Sequence, residues 1–166
     1  MPELVTRFPA RASVRLQFST RALPAADAFV GGVALPLTPN TWGGSDPIAW
    51  WVAPDAWLIQ SLRDDDGLAA RLRSDAASLP CAVTDLSDAL VTIGLEGPDA
   101  GAILARGTAI DLRAGSFGVQ SCARTRLAQL PVLIRRPAAA RFELVVDSSA
   151  AQYLQDWLMD AAAGIS

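Results

Sequence analysis

Gly94, Gly97 and Gly101 punctuate the stretch LVTIGLEGPDAGAILARG, residues 90–107. A glycine-lined corner between a strand and a helix is one place where backbone amides reach a phosphate. The spacing here argues against that use. A dinucleotide turn sets Gly-x-Gly-x-x-Gly between the two elements, whereas Gly94 falls inside the strand pattern and Gly101 inside the helical one. Pro98 at the first helical position removes an amide, and Asp99 puts a carboxylate where an anion would sit. The stretch reads as a corner: Gly97 turns the chain, Pro98 pre-sets the helix, and Asp99 suits the positive end of the helix dipole.

The remaining side chains narrow the chemistry further. All 14 basic residues are arginine, and the sequence has neither lysine nor histidine. That excludes a histidine general base, a Ser-His triad, a histidine metal site, a lysine Schiff base and a lysine phosphate contact. Cys122 in SCARTR is a candidate nucleophile, but only Arg124 or Arg126 is placed to lower its pKa. Cys81 and Cys122 read as buried free thiols. The net charge of −3 argues against nucleic-acid binding, which needs a basic face.

The elements that must hold these residues follow from periodicity. Alternation marks strands over 13–18, 48–53, 56–61, 90–97 and 141–149, with a short strand and turn over 81–88. Residues 120–136 read as two strands joined near 129–131. Helical spacing marks 23–32, 64–79, 98–107 and 150–163. In the last of these Tyr153, Leu154, Trp157 and Leu158 are expected to face inward, with Ser148 or Ser149 as N-cap. Loops cover 34–47 and 114–117.

The same order of elements occurs twice. VRLQFSTRALPAADAFVGGVALPL lies against VTIGLEGPDAGAILARGTAIDLR, and APDAWLIQSLRDDDGLAARLRSDAA lies against AAARFELVVDSSAAQYLQDWLMDAA. The expected fold class is α+β: two pseudo-repeated β-α-β-β-α halves, about 12–79 and 81–163, with antiparallel-rich sheets and helices packed on one side. Residues 1–11 read as an extended N-terminal arm, followed by one domain over 12–166.

The stretch VTDLSDALVTIGLEGPDAGAILARGTAIDL resembles the aminomethyltransferase (glycine-cleavage T-protein) superfamily. Within it, NTW, APDAWLI, LEGPDAGAILARGTAIDL, SCARTRLAQLPVLI and FELVVDSSAAQYLQDWLMDA together are most similar to the gamma subunits of heterotetrameric sarcosine oxidases. The resemblance covers nearly the whole chain beyond the arm. It implies a small, cofactor-free subunit whose larger alpha and beta partners carry NAD, FAD and FMN, with zinc on a small delta partner. Such an assembly oxidises the N-methyl group of sarcosine and passes the one-carbon unit to tetrahydrofolate. The other reading it allows is a stand-alone folate-binding, one-carbon-transfer domain.

The resemblance places Asp111 where related aminomethyltransferases carry an aspartate near the folate amine, so Asp111 is the candidate catalytic residue. Interface candidates come from residue type. Trp42, Trp50, Trp51 and Trp57 cluster in one region, and Trp50 and Trp51 must face opposite sides of a strand. Arg124 and Arg126 alternate on one strand face, with Arg135 and Arg136 ending the next. Trp42, Trp50, Trp51, Arg124 and Arg126 are therefore the expected partner-facing residues. The N-terminus does not read as a signal peptide and no apolar run is long enough to span a membrane, so the expected place is the cytoplasm. A mean hydropathy of +0.28 implies apolar surface that a partner covers, or self-association of the isolated chain.

Overall fold

Alternating side chains build two five-stranded antiparallel sheets. The computed structural model describes residues 4–8, 11–19, 29–63 and 65–164. One sheet runs in the order β5 (Trp42–Gly43), β6 (Ile48–Ala53), β7 (Ala56–Gln60), β2 (Ser13–Phe18), β8 (Cys81–Asp85). The other runs β10 (Cys122–Leu127), β11 (Leu130–Ala138), β12 (Arg141–Asp147), β9 (Leu90–Glu96), β1 (Leu4–Arg7). The helices are α1 (Leu68–Asp75), α2 (Ala100–Ala105) and α3 (Ala151–Ala163). The chain divides into two compact units: residues 10–88 form the first, and residues 1–9 with 89–166 form the second.

The two sheets share one register. Val14 lies between Ile59 of β7 and Asp85 of β8, and Leu16 between Trp57 and Val83. In the second unit, Ile93 lies between Leu144 of β12 and Arg7 of β1, and Leu95 between Phe142 and Val5. Strand for strand, β2 matches β9, β7 matches β12, β6 matches β11, β5 matches β10 and β8 matches β1. The edge strands are exchanged relative to chain order. β1 precedes β2 but pairs with β9, and β8 precedes β9 but pairs with β2.

Each sheet buries its period-2 apolar face in its own core. In the first unit Val14, Leu16, Trp57 and Ile59 pack with Leu68 and Leu72 of α1. In the second, Ile93, Leu95, Phe142, Leu144 and Val146 pack with Ile103 and Leu104 of α2 and with Leu154 and Leu158 of α3. The α1 face Leu68, Leu72 and Ala76 is buried as its spacing requires.

Several expectations shift. The helix read over 23–32 lies, up to residue 28, outside the described residues. Phe29–Val30 and Val33–Ala34 instead form β3 and β4, joined by Gly31 and Gly32 at φ 60° and 75°, values that glycine adopts without strain. Tyr153 is 53% exposed, because on α3 it sits a turn-fraction away from the buried stripe Ala151, Leu154, Leu158 and Ala161. The cap before α3 is Asp147: its carboxylate accepts the Ser149 amide at 2.9 Å and starts a 3-10 turn over Ser148–Ala150. The β10–β11 turn falls at Ala128-Gln129, both left-handed at φ 50° and 70°. Pro131 then fits inside β11, since it pairs with Arg126 at a position where its missing N–H would point away from β10. Cys81 is only half-buried, whereas Cys122 is buried; neither forms a disulfide.

Because β1 closes the second sheet, its loss strips that sheet of an edge. Phe8 donates its amide to Thr92 at 3.0 Å and lies over Gly94, where a Cβ would come within 2.9 Å of the ring. Val5 packs on the second core. Removing residues 1–9 is expected to cost roughly 2–4 kcal/mol through this burial and the lost ladder bonds. A synthetic peptide of residues 1–9 added in trans should restore much of it. Urea denaturation checks both expectations, and unchanged stability on truncation would contradict the role given to β1.

Candidate functional site

The corner at Gly97 is already occupied by the chain itself. The Gly97 amide donates to Ala140 O at 2.9 Å, and the Gly97 carbonyl accepts the Ala100 amide at 3.2 Å. The helix that follows is six residues long. The corner ties β9 to the β11–β12 turn and leaves the Gly97 amide nothing to offer a phosphate.

Downstream of α2, residues 106–121 are pinned at many points. Gly107 approaches Trp157 so closely that a Cβ would lie 2.6 Å from the indole, and its carbonyl accepts the Ala128 amide at 3.0 Å. Arg106 Nη1 donates to Ala161 O at 2.9 Å. Arg136, from β11, donates to Leu112 O at 3.4 Å and to Phe117 O at 2.8 Å through Nη1, and to Ala139 O through its other nitrogens. Its guanidinium also lies 5.2 Å from the centroid of Phe142, against which Phe117 stacks.

Asp111 sits inside this pinned loop. It accepts the Arg113 amide at 3.0 Å, Arg113 Nε at 2.9 Å, Arg113 Nη2 at 2.6 Å and Ser116 Oγ at 2.7 Å. The side-chain bonds from Arg113 and then Ser116 hold its carboxyl far below the usual carboxylate range. A carboxylate so stabilised in its charged form is a weak base, the opposite of what proton transfer near neutrality requires. What the geometry gives it is a loop-folding task.

The other candidates separate. Trp50 is fully buried within the chain, so it presents no surface to a partner. Trp51 sits on the opposite face of β6, partly buried against the first core. Trp42 is half-buried on β5, directly across from Trp50. Trp57 is a core residue, edge-on to Phe18, with its indole N–H donated to Pro36 O at 2.7 Å. Arg124 and Arg126 are exposed on β10, and Arg126 Nη2 donates to Gln129 O at 2.8 Å. Cys122 has no exposed surface and so offers no accessible nucleophile.

Sequence reasoning missed the ion pair behind β10. Glu143 on β12 accepts Arg135 Nη2 at 2.6 Å and Nε at 3.0 Å on one carboxylate oxygen, and Arg141 Nη2 at 3.0 Å on the other. The Glu143 and Arg135 side chains are 2% and 5% exposed. By register, Arg135 opposite Glu143 occupies the place that Trp50 opposite Leu58 holds in the first sheet. The available signal was a lone carboxylate at an even spacing within the apolar run RFELVV, facing away from Phe142 and Leu144. In the first unit, Asp65, Asp66, Asp85 and Asp88 line a shallow hollow with Arg11 and Ser87. Asp65 is tied to Arg71 and Asp85 to Ser87. Among the described residues no group of His, Cys, Asp or Glu is arranged to hold a metal ion, and no helix is long and apolar enough to cross a membrane.

Residues 17–164 match the family model described as "Sarcosine oxidase, gamma subunit family". The "Sarcosine oxidase subunit gamma" of Corynebacterium sp. (strain U-96) is 31% identical over 157 residues, covering 90% of this chain and 76% of that protein. The protein of the same name from Corynebacterium sp. (strain P-1) is 30% identical over 152 residues, covering 87% and 74%. A chain of the heterotetrameric sarcosine oxidase from Corynebacterium sp. U-96, solved in complex with pyrrole 2-carboxylate, superposes with a TM-score of 0.86 at 25% identity, over 98% of this chain and 84% of that one. The glycine cleavage system aminomethyltransferase T from Bartonella henselae superposes with a TM-score of 0.65 at 18% identity, over 95% of this chain but 45% of that one. That second likeness is one of fold alone.

The Asp111 clamp has a pH signature. Its carboxyl pKa is depressed in the folded chain, so the clamp is fully formed above the ordinary value of 3.8 and is lost only as pH falls through the lowered one. Carboxyl NMR titration should find Asp111 still ionised where ordinary aspartates have taken up a proton. Arg113→Ala should move its midpoint up toward 3.8. A wild-type midpoint at or above that value would remove the clamp and reopen Asp111 as a proton carrier.

Proposed function

The chain belongs to the sarcosine oxidase gamma subunit family, and from that premise we propose that it is the non-catalytic gamma subunit of a heterotetrameric sarcosine oxidase-like enzyme, supporting and helping to assemble the larger subunits. The observation that carries this reading is the near-complete superposition on a chain of such a heterotetramer. NAD, FAD, FMN and zinc then reside on the alpha, beta and delta partners, which oxidise sarcosine and hand the one-carbon unit to tetrahydrofolate in the cytoplasm. The residues of this chain do not fit those groups. The Gly97 amide is spent on Ala140, and Asp111 is clamped by Arg113 and Ser116. With no lysine or histidine, no step of that chemistry is assigned to this chain. Its contact residues in this reading are Trp42, Trp51, Arg124 and Arg126, which keep exposed or half-exposed surface.

The likeness to aminomethyltransferase T favours a second reading, a stand-alone folate-binding domain. Three measurements test them. Co-expressed with the alpha, beta and delta chains, the tagged chain should purify in equal proportion with them. Alone, it should release no peroxide from sarcosine and give no heat on titration with tetrahydrofolate. Heat that disappears in Asp111→Ala would replace the first reading with the second, and failure to co-purify would overturn the first.

A further inference from the structure

Among the described residues, β10 is the longest edge strand of the two five-stranded sheets. Of the four edges of these two sheets, that at β5 is two residues long and runs into Gly44 at φ 91°. α3 packs beside β1, and α1 beside β8. β10 occupies the place of β5 in the shared register, yet it runs for six residues in unbroken register and without proline. Residues 107–108 reach its C-terminal half, where Thr108 meets Thr125 at 3.2 Å and Gly107 O takes the Ala128 amide, and these contacts leave the backbone groups of Arg124 and Arg126 unused.

The two-residue turn at Ala128-Gln129 fixes which backbone groups face out. Leu127 and Leu130 close the hairpin as a hydrogen-bonded pair, so bonding alternates at Leu127, Thr125 and Ala123. The Arg136 amide donating to Ser121 O at 3.0 Å continues the same alternation. The N–H and C=O groups of Arg124 and Arg126 therefore point away from β11, and they find no backbone partner among the described residues. On one face of the same edge stand the two exposed guanidinium groups; that of Arg124 meets no carboxylate among the described residues.

We infer that β10 takes up an extended, carboxylate-bearing segment of a larger subunit, which adds as a further strand to the second sheet. Main-chain bonds to Arg124 and Arg126 would hold the segment, and acidic side chains two residues apart would meet the two guanidinium forks. A second copy of this chain is the wrong occupant, since two β10 edges side by side would set arginine against arginine. This inference rests on the gamma-subunit reading and goes beyond it by naming the edge and the chemistry of its partner.

The test compares the isolated chain with the co-purified complex. Residue-resolved amide exchange at Arg124 and Arg126 should slow by about tenfold or more on assembly, as for amides entering a ladder. Thr125, already bonded to β11, should change little. The double variant Arg124→Glu/Arg126→Glu should lower the fraction of chain assembled, with the melting temperature of the isolated variant confirming that it folds. Arg124→Pro, which removes an outward N–H without touching the β11 ladder, should assemble less well than Arg124→Ala. If wild type assembles while both amides exchange as fast as in the isolated chain, the strand addition is overturned and the gamma-subunit reading stands. If wild type does not assemble with the other chains, both fall together.

Discussion

The pairing of β1 with β9, mirrored by that of β8 with β2, is the constraint on which the rest of the molecule depends. A strand register has no slack: a slip of one residue turns every side chain to the other face. Fixing Val5 opposite Leu95 and Val83 opposite Leu16 therefore sets the inward faces of both sheets. It also explains the discontinuous second unit. The chain lays down β1, builds residues 10–88, and returns to complete the sheet that β1 edges. Docking β1 closes a loop of some eighty residues, an entropy cost that grows only slowly with loop length and that the ladder bonds to β9 and the partial burial of Val5 and Phe8 work against.

With one register used twice, the differences between the copies become informative. The first copy fills the position behind its core with Trp50 and Leu58; the second fills it with Arg135 and Glu143. Burying that ion pair is a poor route to stability compared with an apolar pair of similar volume, but it fixes partners and orientation. Arginine is the only cation available and keeps its proton at any ordinary pH. Each buried or half-buried guanidinium therefore needs a lasting acceptor. Glu143 serves Arg135, and the carbonyls of Leu112, Phe117 and Ala139 serve Arg136. The result is a rigid scaffold rather than a set of groups poised to exchange protons.

Much of this was legible in the residues. The antiparallel sheets, the buried face of α1 and the corner at Gly97 follow from local periodicity and turn chemistry; the bounds expected for the two halves, 12–79 and 81–163, differ from the units 10–88 and 1–9 with 89–166. The family was legible too, from an ordered set of short motifs. The exchange of edge strands was not legible: residues 1–11 read as an extended arm, too short in pattern to mark Leu4–Arg7 as strand β1, and nothing local says which of two equivalent sheets such a segment joins. The burial of Trp50 was hidden for a related reason: alternation shows that Trp50 and Trp51 diverge, not which face is covered. Asp111 looked chemical because of where it falls in a family pattern, and only the three-dimensional closeness of Arg113 and Ser116 shows it as a loop staple.

Native-state hydrogen exchange in low denaturant tests the exchanged register most directly. The amides of β1 should open together with those of β9 and β12, and those of β8 with β2 and β7. If β1 instead opens with β2, its neighbour in sequence, then β1 does not edge the sheet of β9, and the equivalence between β5 and β10 falls with that pairing.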